Sequence, residues 1–124
     1  MKAIVLPIKP EYAEAILKKK KRYEYRKHLC KEQIDKIFIY ATAPVKQIVG
    51  EAYVIEKLTD NKEILWQRTK AFSGINRDFY DMYFKGFEIA SAYSLGEVIL
   101  YEHPRNLGEF GINFYPQSYV YVIE

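Results

Sequence analysis

The spacing of apolar residues predicts six strands and three helices in the order β, α, β, β, β, α, α, β, β. Residues 3–6 form an apolar run of strand length, and apolar residues within 10–20 recur at the spacing of one helix face. In residues 22–27 two tyrosines alternate with charged residues, which predicts a strand with one aromatic and one charged face. Further strands are predicted at residues 37–41, 45–58, 87–101 and 119–123.

Capping and turn-forming residues delimit the two helices predicted in the middle of the chain. Asp60 and Glu63 have the spacing of a capping box at the start of the first helix, and Gly74 ends it. Asn76 caps the second helix, which ends at Gly86. The last two predicted strands are separated by a segment that includes a predicted loop at residues 103–111.

Strands predominate in this order, and consecutive strands lack the helices that cross over between parallel neighbours. Such an order favours a curled, mostly antiparallel sheet over a doubly wound fold. The length of 124 residues supports one domain, spanning residues 1–124. We therefore expect an α+β fold, a small and mostly antiparallel β-barrel with helices packed at its ends, because closure removes exposed strand edges.

Composition narrows the class of protein. With 49% hydrophobic residues the chain is not disordered, and no apolar run approaches the roughly 20 residues that span a bilayer. The first residues lack the apolar core of a secretory signal, and the single Cys30 cannot form an internal disulfide. We therefore expect a cytoplasmic protein without a membrane partner. Glycine spacings match no nucleotide-binding loop, and two histidines with one cysteine are too few for a zinc finger, so we expect no cofactor and no metal.

Positive charge is concentrated in the first part of the chain. The chain carries 19 Lys and Arg against 16 Asp and Glu, and residues 1–50 hold 12 basic and 5 acidic side chains. Eight of those basic residues lie in 18–31, where Glu24 is the one acid. Such a segment is typical either of a solvated turn after a helix or of a site for a polyanion. The 12 Tyr, 7 Phe and 1 Trp suit both core packing and stacking on exposed bases.

One short motif in that segment, Lys21-x-x-Glu24-x-Arg26, brings complementary charges together. Glu24 and Arg26 lie two apart on the predicted strand, so they share a face and can form an ion pair that fixes the guanidinium plane. With Lys21 in the preceding turn, the motif offers two cations and one carboxylate to a ligand. The alternative is a surface ion pair worth roughly 0–1 kcal/mol. His28 and Cys30 have the spacing of a nucleophile and its base, but a lone cysteine usually packs.

The motif and three other segments resemble the ASCH family of the PUA-like superfamily. The family's usual signature is Gly-x-Lys-x-x-Glu-x-Arg after the first helix, and Lys21, Glu24 and Arg26 match it. Lys19 replaces the glycine, at the turn that leads into the motif. The resemblance implies a PUA-like β-barrel with a cleft lined by the motif's Lys, Glu and Arg. The other segments that look like small bacterial and archaeal members are residues 1–12, 40–51 and 116–119.

The family is similar to RNA-binding domains and includes hydrolases, so the resemblance implies two kinds of function. In a module that binds RNA, a nucleotide or a modified nucleoside, Lys21 and Arg26 would meet phosphate or carbonyl oxygens. Glu24 would accept base N–H groups or orient Arg26, and Tyr23 and Tyr25 would stack on bases. Such modules have been proposed to act in RNA processing or transcription coactivation.

As a hydrolase, the chain would use Lys21 as nucleophile or base, with Glu24 as its catalytic partner. One ASCH subgroup removes the acetyl group from acetylcytidine, typically with Thr at the Glu position of the motif, and another is a ribonuclease. A catalytic Lys21 needs a depressed pKa, which neighbouring cations favour and Glu24 opposes. We prefer the binding module, because the sequence contains no complete catalytic set. A third interpretation is a protein partner bound through exposed aromatic residues.

Overall fold

The computed structural model describes residues 2–123 and confirms the predicted order of elements. Two short 3₁₀ helices, Lys70–Phe72 and Leu107–Phe110, supplement this order. None of the helices within residues 2–123 has the length and apolar character needed to cross a bilayer. The elements are β1 (Lys2–Ile8), α1 (Pro10–Leu17), β2 (Tyr23–Tyr25), β3 (Lys36–Ala41), β4 (Gln47–Asn61), α2 (Lys62–Thr69), α3 (Arg77–Tyr83), β5 (Ile89–Arg105) and β6 (Val120–Ile123).

Side-chain caps fix where the two middle helices begin. Asn61 caps α2, because its side-chain oxygen accepts the backbone N–H of Glu63 at 2.9 Å. Asp60 instead accepts the N–H of Asn61, so the predicted capping box is wrong by one residue. Asn76 caps α3 as predicted and accepts the N–H of Phe79 at 2.8 Å. The predicted loop at residues 103–111 is wrong in its first part, because β5 continues to residue 105.

All six strands form one sheet in the order β2-β5-β4-β3-β1-β6. β1 and β3 are parallel and the other neighbouring pairs are antiparallel, which confirms a mostly antiparallel α+β fold. The sheet does not close into the predicted barrel, because within residues 2–123 the edge strands β2 and β6 do not pair with each other. These edges have three and four residues and expose few unpaired backbone groups. Helices and loops, rather than strand closure, cover the apolar faces.

Alternation along the central strands divides the core between the two faces of the sheet. In β3, Ile37 and Ile39 pack in one cluster with Ile16 of α1. Phe38 and Tyr40 belong to a second cluster on the opposite face. A third, largely aromatic cluster involves β2, α2 and α3, and therefore lies beside the predicted motif. Its buried aromatic residues are Tyr25, Trp66, Tyr80 and Phe84.

Candidate functional site

A turn with left-handed backbone conformation leads from α1 into the motif. Lys19 has a φ of 64°, in the region that glycine adopts at least cost. The N–H of Lys19 bonds the carbonyl of Ile16, and the N–H of Lys20 bonds that of Ala15, both at 2.9 Å. These bonds form the Schellman motif, which ends α1 three residues before the predicted position. Lys19 therefore keeps the turn expected of the signature glycine, at a cost in backbone strain.

Lys21 is buried directly after this turn, with 2% of its surface exposed. Its Nζ donates to the carbonyl oxygen of Ser73 at 2.6 Å and lies 3.8 Å from Oε1 of Glu24. The same atom lies 5.0 Å from the ring centroid of Tyr25 and 5.5 Å from that of Tyr12. A buried ammonium group held by a carbonyl, a carboxylate and two aromatic faces has a fixed position and a defined set of partners.

Burial lowers the pKa of the Lys21 ammonium below its ordinary value, because the charged form is poorly solvated. The carboxylate of Glu24 opposes this shift, and the positive charge of Arg26 adds to it. Of the neighbouring cations expected to lower this pKa, Arg26 contributes, and Glu24 acts against the shift as expected; burial, the largest cause, was not evident from the sequence. A lowered pKa increases the fraction of neutral amine, which is the form that acts as a base or nucleophile.

Gly74 leaves the space that the Lys21 side chain occupies. It has a φ of 70°, and a Cβ at this position would lie 2.6 Å from both Cβ and Cγ of Lys21. With the carbonyl of Ser73, this glycine makes the segment after α2 one wall around the lysine. The sequence identified Gly74 only as a helix terminator. No local pattern links it to residue 21, because the contact joins segments about 50 residues apart.

Glu24 and Arg26 form the ion pair that strand alternation predicts. Glu24 lies in the middle of β2 and is 6% exposed, and its Oε2 accepts from Nε of Arg26 at 3.1 Å and from Nη2 at 2.9 Å. The Nη2 group also donates to the carbonyl of Pro7 at 2.5 Å. Pro7 lies near the end of β1, past Val5, which is the last residue of β1 that pairs with β6. Glu24 therefore lies between two cations, since its other oxygen approaches Lys21.

The three charged side chains line one cleft with a volume of about 600 Å³. This volume falls within the roughly 300–1,000 Å³ typical of small-ligand sites, and an excess of cations suits an anionic ligand. The charged residues among its described lining are Lys9, Lys21, Arg26 and Lys46, with Glu24 as the one carboxylate. Aromatic rings form much of the wall, from Tyr12, Tyr25, Tyr40, Phe79, Tyr83 and Tyr115.

The two tyrosines of β2 differ in position. Tyr25 lines the cleft, and its hydroxyl donates to Oγ1 of Thr69 at 2.7 Å. Burial raises the pKa of Tyr25 to about 12, so it stays a neutral donor at ordinary pH. Its ring is almost fully buried and offers little surface for the predicted stacking on a base. Tyr23 packs against the aromatic cluster around Tyr80 and does not line the cleft. The structure therefore brings the predicted set together except for Tyr23.

His28 and Cys30 do not form a nucleophile pair. Cys30 is buried, and its Sγ donates to the carbonyl oxygen of Glu32 at 3.5 Å. His28 is exposed, and its ring packs edge to face with Phe87. Cys30 is therefore a packing residue. Within residues 2–123, no group of three or more His, Cys, Asp or Glu side chains is arranged to hold a metal ion.

Sequence reasoning missed most of the cleft wall. Tyr12 and Phe79 lie on helices that the sequence predicts, and nothing in the pattern marked either residue as part of a site, yet both rings line the cleft, with centroids 5.9 Å apart. Lys46 and Tyr115 form another part of the wall, where the lysine Nζ lies 5.1 Å from the ring centroid. Periodicity cannot distinguish a ring that completes a core from one that borders a cavity. The one sequence feature that could have indicated these rings was the spacing of Phe79 and Tyr83, which lie four residues apart on a short, charged helix.

Comparisons with known proteins found a matching family model and several related proteins. Residues 6–99 match the family model of the ASCH domain. A relative from Zymomonas mobilis, named ASCH domain-containing ribonuclease, is 35% identical over 95 residues, or 76% of this chain and 64% of the relative. The chain thus spans slightly less than two thirds of that relative's length. ATP synthase subunit alpha from Ureaplasma parvum is 27% identical over 120 residues, or 96% of this chain but 15% of that protein.

The fold is also similar to a solved structure. The crystal structure of ASCH from Zymomonas mobilis superposes with a TM-score of 0.89 at 32% sequence identity. The match covers 98% of this chain and 88% of the other. The likeness therefore extends over the whole α+β arrangement that holds the cleft, including the parts of this chain beyond residue 99.

Proposed function

Because the chain belongs to the ASCH domain family, we propose that its cleft binds RNA or a nucleotide. The observation that carries the proposal is the convergence of Lys21, Glu24 and Arg26 on one cleft of about 600 Å³. RNA combines the two features that this lining suits, since it carries anionic phosphates and flat bases that stack on aromatic rings. The ribonuclease name of the Zymomonas mobilis relative supports a ligand of this class.

Each residue of the motif has a distinct role in this proposal. Arg26 binds a phosphate or carbonyl oxygen, with its guanidinium plane held by two hydrogen bonds to Glu24. Lys21 donates to the same ligand from the buried side of the cleft. Glu24 orients Arg26 and accepts an N–H group of a base. Phe79 and Tyr83, rather than the tyrosines of β2, supply rings for stacking.

A salt-dependent binding titration tests the proposal. Labelled single-stranded oligo(U) of about ten nucleotides should bind at low salt. If the cleft cations neutralise about four phosphates, log K should fall with log salt at a slope near −3. Arg26→Gln should weaken binding about tenfold or more, because hydrogen bonds to charged groups contribute about 1.5–3 kcal/mol. Arg68→Gln is the matched control, since Arg68 is exposed and does not line the cleft. Absence of binding at low salt, or equal losses in both variants, would contradict the proposal.

A second candidate function is hydrolysis of RNA or of a modified nucleoside. The lowered pKa of the buried Lys21 favours it, since a neutral amine is required of a base or nucleophile. In the hydrolase, the hydrogen bond to Glu24 would hold the Arg26 guanidinium in place. Arg26 would then stabilise the negative charge on a reacting phosphate. The ribonuclease relative supports the RNA version, whereas Glu24, in place of the Thr typical of the amidohydrolase subgroup, weighs against acetylcytidine.

Two substitutions separate binding from hydrolysis. Lys21→Ala should abolish RNA cleavage if Lys21 is the base or nucleophile, but should only weaken affinity in a binding module. Glu24→Thr should gain activity on acetylcytidine if the chain is a variant of the amidohydrolase subgroup. In a binding module it should instead weaken RNA binding, because Arg26 loses its carboxylate partner. Chromatography of the products measures both reactions. Wild-type protein that binds RNA but cleaves neither substrate would contradict hydrolysis and leave binding as the function.

A further inference from the structure

Aromatic rings and cations continue beyond the cleft in one unbroken series of contacts. The rings of Phe79 and Tyr83, which line the cleft, are near-parallel at 8° with centroids 6.5 Å apart. Lys27 follows, with its Nζ 5.0 Å from the ring centroid of Tyr83 and 5.5 Å from that of Phe87. The ring of His28 then packs against Phe87, with centroids 6.4 Å apart. Lys27, His28 and Phe87 do not line the cleft and are called the outer track here.

We propose that the outer track binds the nucleotides of single-stranded RNA next to the one held in the cleft. The inference rests on the proposed function, since it extends a strand of which one nucleotide occupies the cleft. Phe87 supplies a ring on which a base stacks, and Lys27 supplies the positive charge for the phosphate between that base and the cleft. The ligand of the whole site is therefore an oligonucleotide rather than a free nucleoside.

Exposure of these side chains is the first argument for the outer track. Phe87 is 37% exposed and Phe79 is 40% exposed, so neither ring is required to fill the core. Lys27 is exposed, and no acidic side chain described in residues 2–123 forms an ion pair with it. Its ammonium group is held over two ring faces instead, which leaves it available to a phosphate.

Charge is the second argument, and it separates RNA from a protein partner. Lys27 and His28 of the outer track belong to the basic segment at residues 18–31. Of the basic residues in that segment, only Lys21 and Arg26 line the cleft. Lysine is depleted in the central part of protein interfaces, whereas alternating cations and aromatic rings are typical of surfaces for single-stranded nucleic acid. Asp81 of the adjacent helix is paired with Arg77 and therefore adds little repulsion.

The test compares a mononucleotide with an oligonucleotide. Uridine monophosphate reports on the cleft alone, and oligo(U) of about ten nucleotides reports on the cleft and the outer track together. Phe87→Ala should weaken oligo(U) binding at least fivefold, as expected for loss of one stacked base, and leave uridine monophosphate binding unchanged. Lys27→Ala should reduce the salt dependence of oligo(U) binding by about 0.7 in slope.

Two control variants match these substitutions. Phe72 is 42% exposed and has the Arg22 guanidinium 4.2 Å from its ring centroid, but it lies outside both the cleft and the outer track. Lys85 is an exposed lysine just after α3. Phe72→Ala and Lys85→Ala should therefore leave oligo(U) affinity close to that of the wild type. Circular dichroism of every variant checks that the fold is retained.

The possible outcomes are distinguishable. Oligo(U) binding that is no tighter than mononucleotide binding would overturn the outer track while leaving the proposed function intact. Unchanged oligo(U) affinity in Phe87→Ala and Lys27→Ala, as expected of a surface for a protein, would also overturn it. Equal losses in the Phe72→Ala and Lys85→Ala controls would do the same. If wild-type protein binds neither probe, the proposed function fails together with this inference.

Discussion

Gly74→Ala should weaken ligand binding although it alters no charged group of the cleft. The new Cβ would lie 2.6 Å from Cβ and Cγ of Lys21 and 2.7 Å from Cδ. These atoms belong to the base of a buried side chain, so they cannot move aside as the end of an exposed lysine would. The Lys21 side chain must therefore shift, and its Nζ loses the present positions relative to Ser73 and Glu24.

Two costs add in this variant. The left-handed backbone costs alanine roughly 1–2 kcal/mol, offset by about 0.4–1 kcal/mol because alanine makes the unfolded chain less flexible. Displacement of Lys21 adds about 1–3 kcal/mol, as at other overpacked positions. Gly111 has a φ of 75° and no atom within 4 Å of an added Cβ, so Gly111→Ala bears only the first cost. The free energy of unfolding should therefore be lower in Gly74→Ala than in Gly111→Ala by about 1–3 kcal/mol.

Urea denaturation and nucleotide titration of the two variants provide the assay. Gly74→Ala should bind oligo(U) about tenfold more weakly than wild type, as expected when one hydrogen bond to a charged group is lost. Gly111→Ala should bind like the wild type, because Gly111 does not line the cleft. Equal stabilities of the two variants, or wild-type affinity in Gly74→Ala, would refute the conclusion that Gly74 positions Lys21.

Two further predictions concern Lys19 and Lys21. Lys19→Gly should be more stable than Lys19→Ala by about 1 kcal/mol, because both remove the same charge but only glycine relieves the φ of 64°; equal thermal midpoints would contradict this. The pKa of Lys21 is lowered on folding, so between that pKa and 10.5 the unfolded chain binds more protons and stability rises with pH. Wild type should therefore gain stability relative to Lys21→Met across this alkaline range in urea melts, and a difference independent of pH would argue against the buried charge.

Periodicity was sufficient to predict the types and order of the elements, but not the closure of the sheet. Helical spacing and strand alternation depend on neighbouring residues, so α1 and β2 could be recognised locally. Pairing depends on distant segments. β1 and β3 are parallel, and α1 lies in the connection between them, whereas β2 pairs with β5 at the far edge of the sheet. Nothing in the local pattern of residues 22–27 indicates that this strand is limited to three residues at an edge.

The same distinction applies to the site. Glu24 and Arg26 lie two positions apart in the predicted strand, so alternation alone was enough to expect their ion pair, although β2 ends at Tyr25. The burial of Lys21 did not, because it depends on Ser73 and Gly74 from a segment about 50 residues away. The motif therefore identified the charged groups, whereas the aromatic wall and the fixed position of the lysine required the tertiary structure.

The charges of the motif explain why this cleft suits an anion. Lys21 and Arg26 share the single carboxylate of Glu24, and the lysine and glutamate are nearly inaccessible to water. One of the two positive charges therefore has no negative charge to balance it, which costs stability in a site with little solvent. In the proposed function a phosphate group supplies the missing negative charge. Its attraction to the cations would be stronger there than at the exposed lysines of residues 18–20, because water screens it less. The strained backbone of Lys19 and the buried charge of Lys21 thus lie two residues apart, a concentration of unfavourable features that is typical of a functional site.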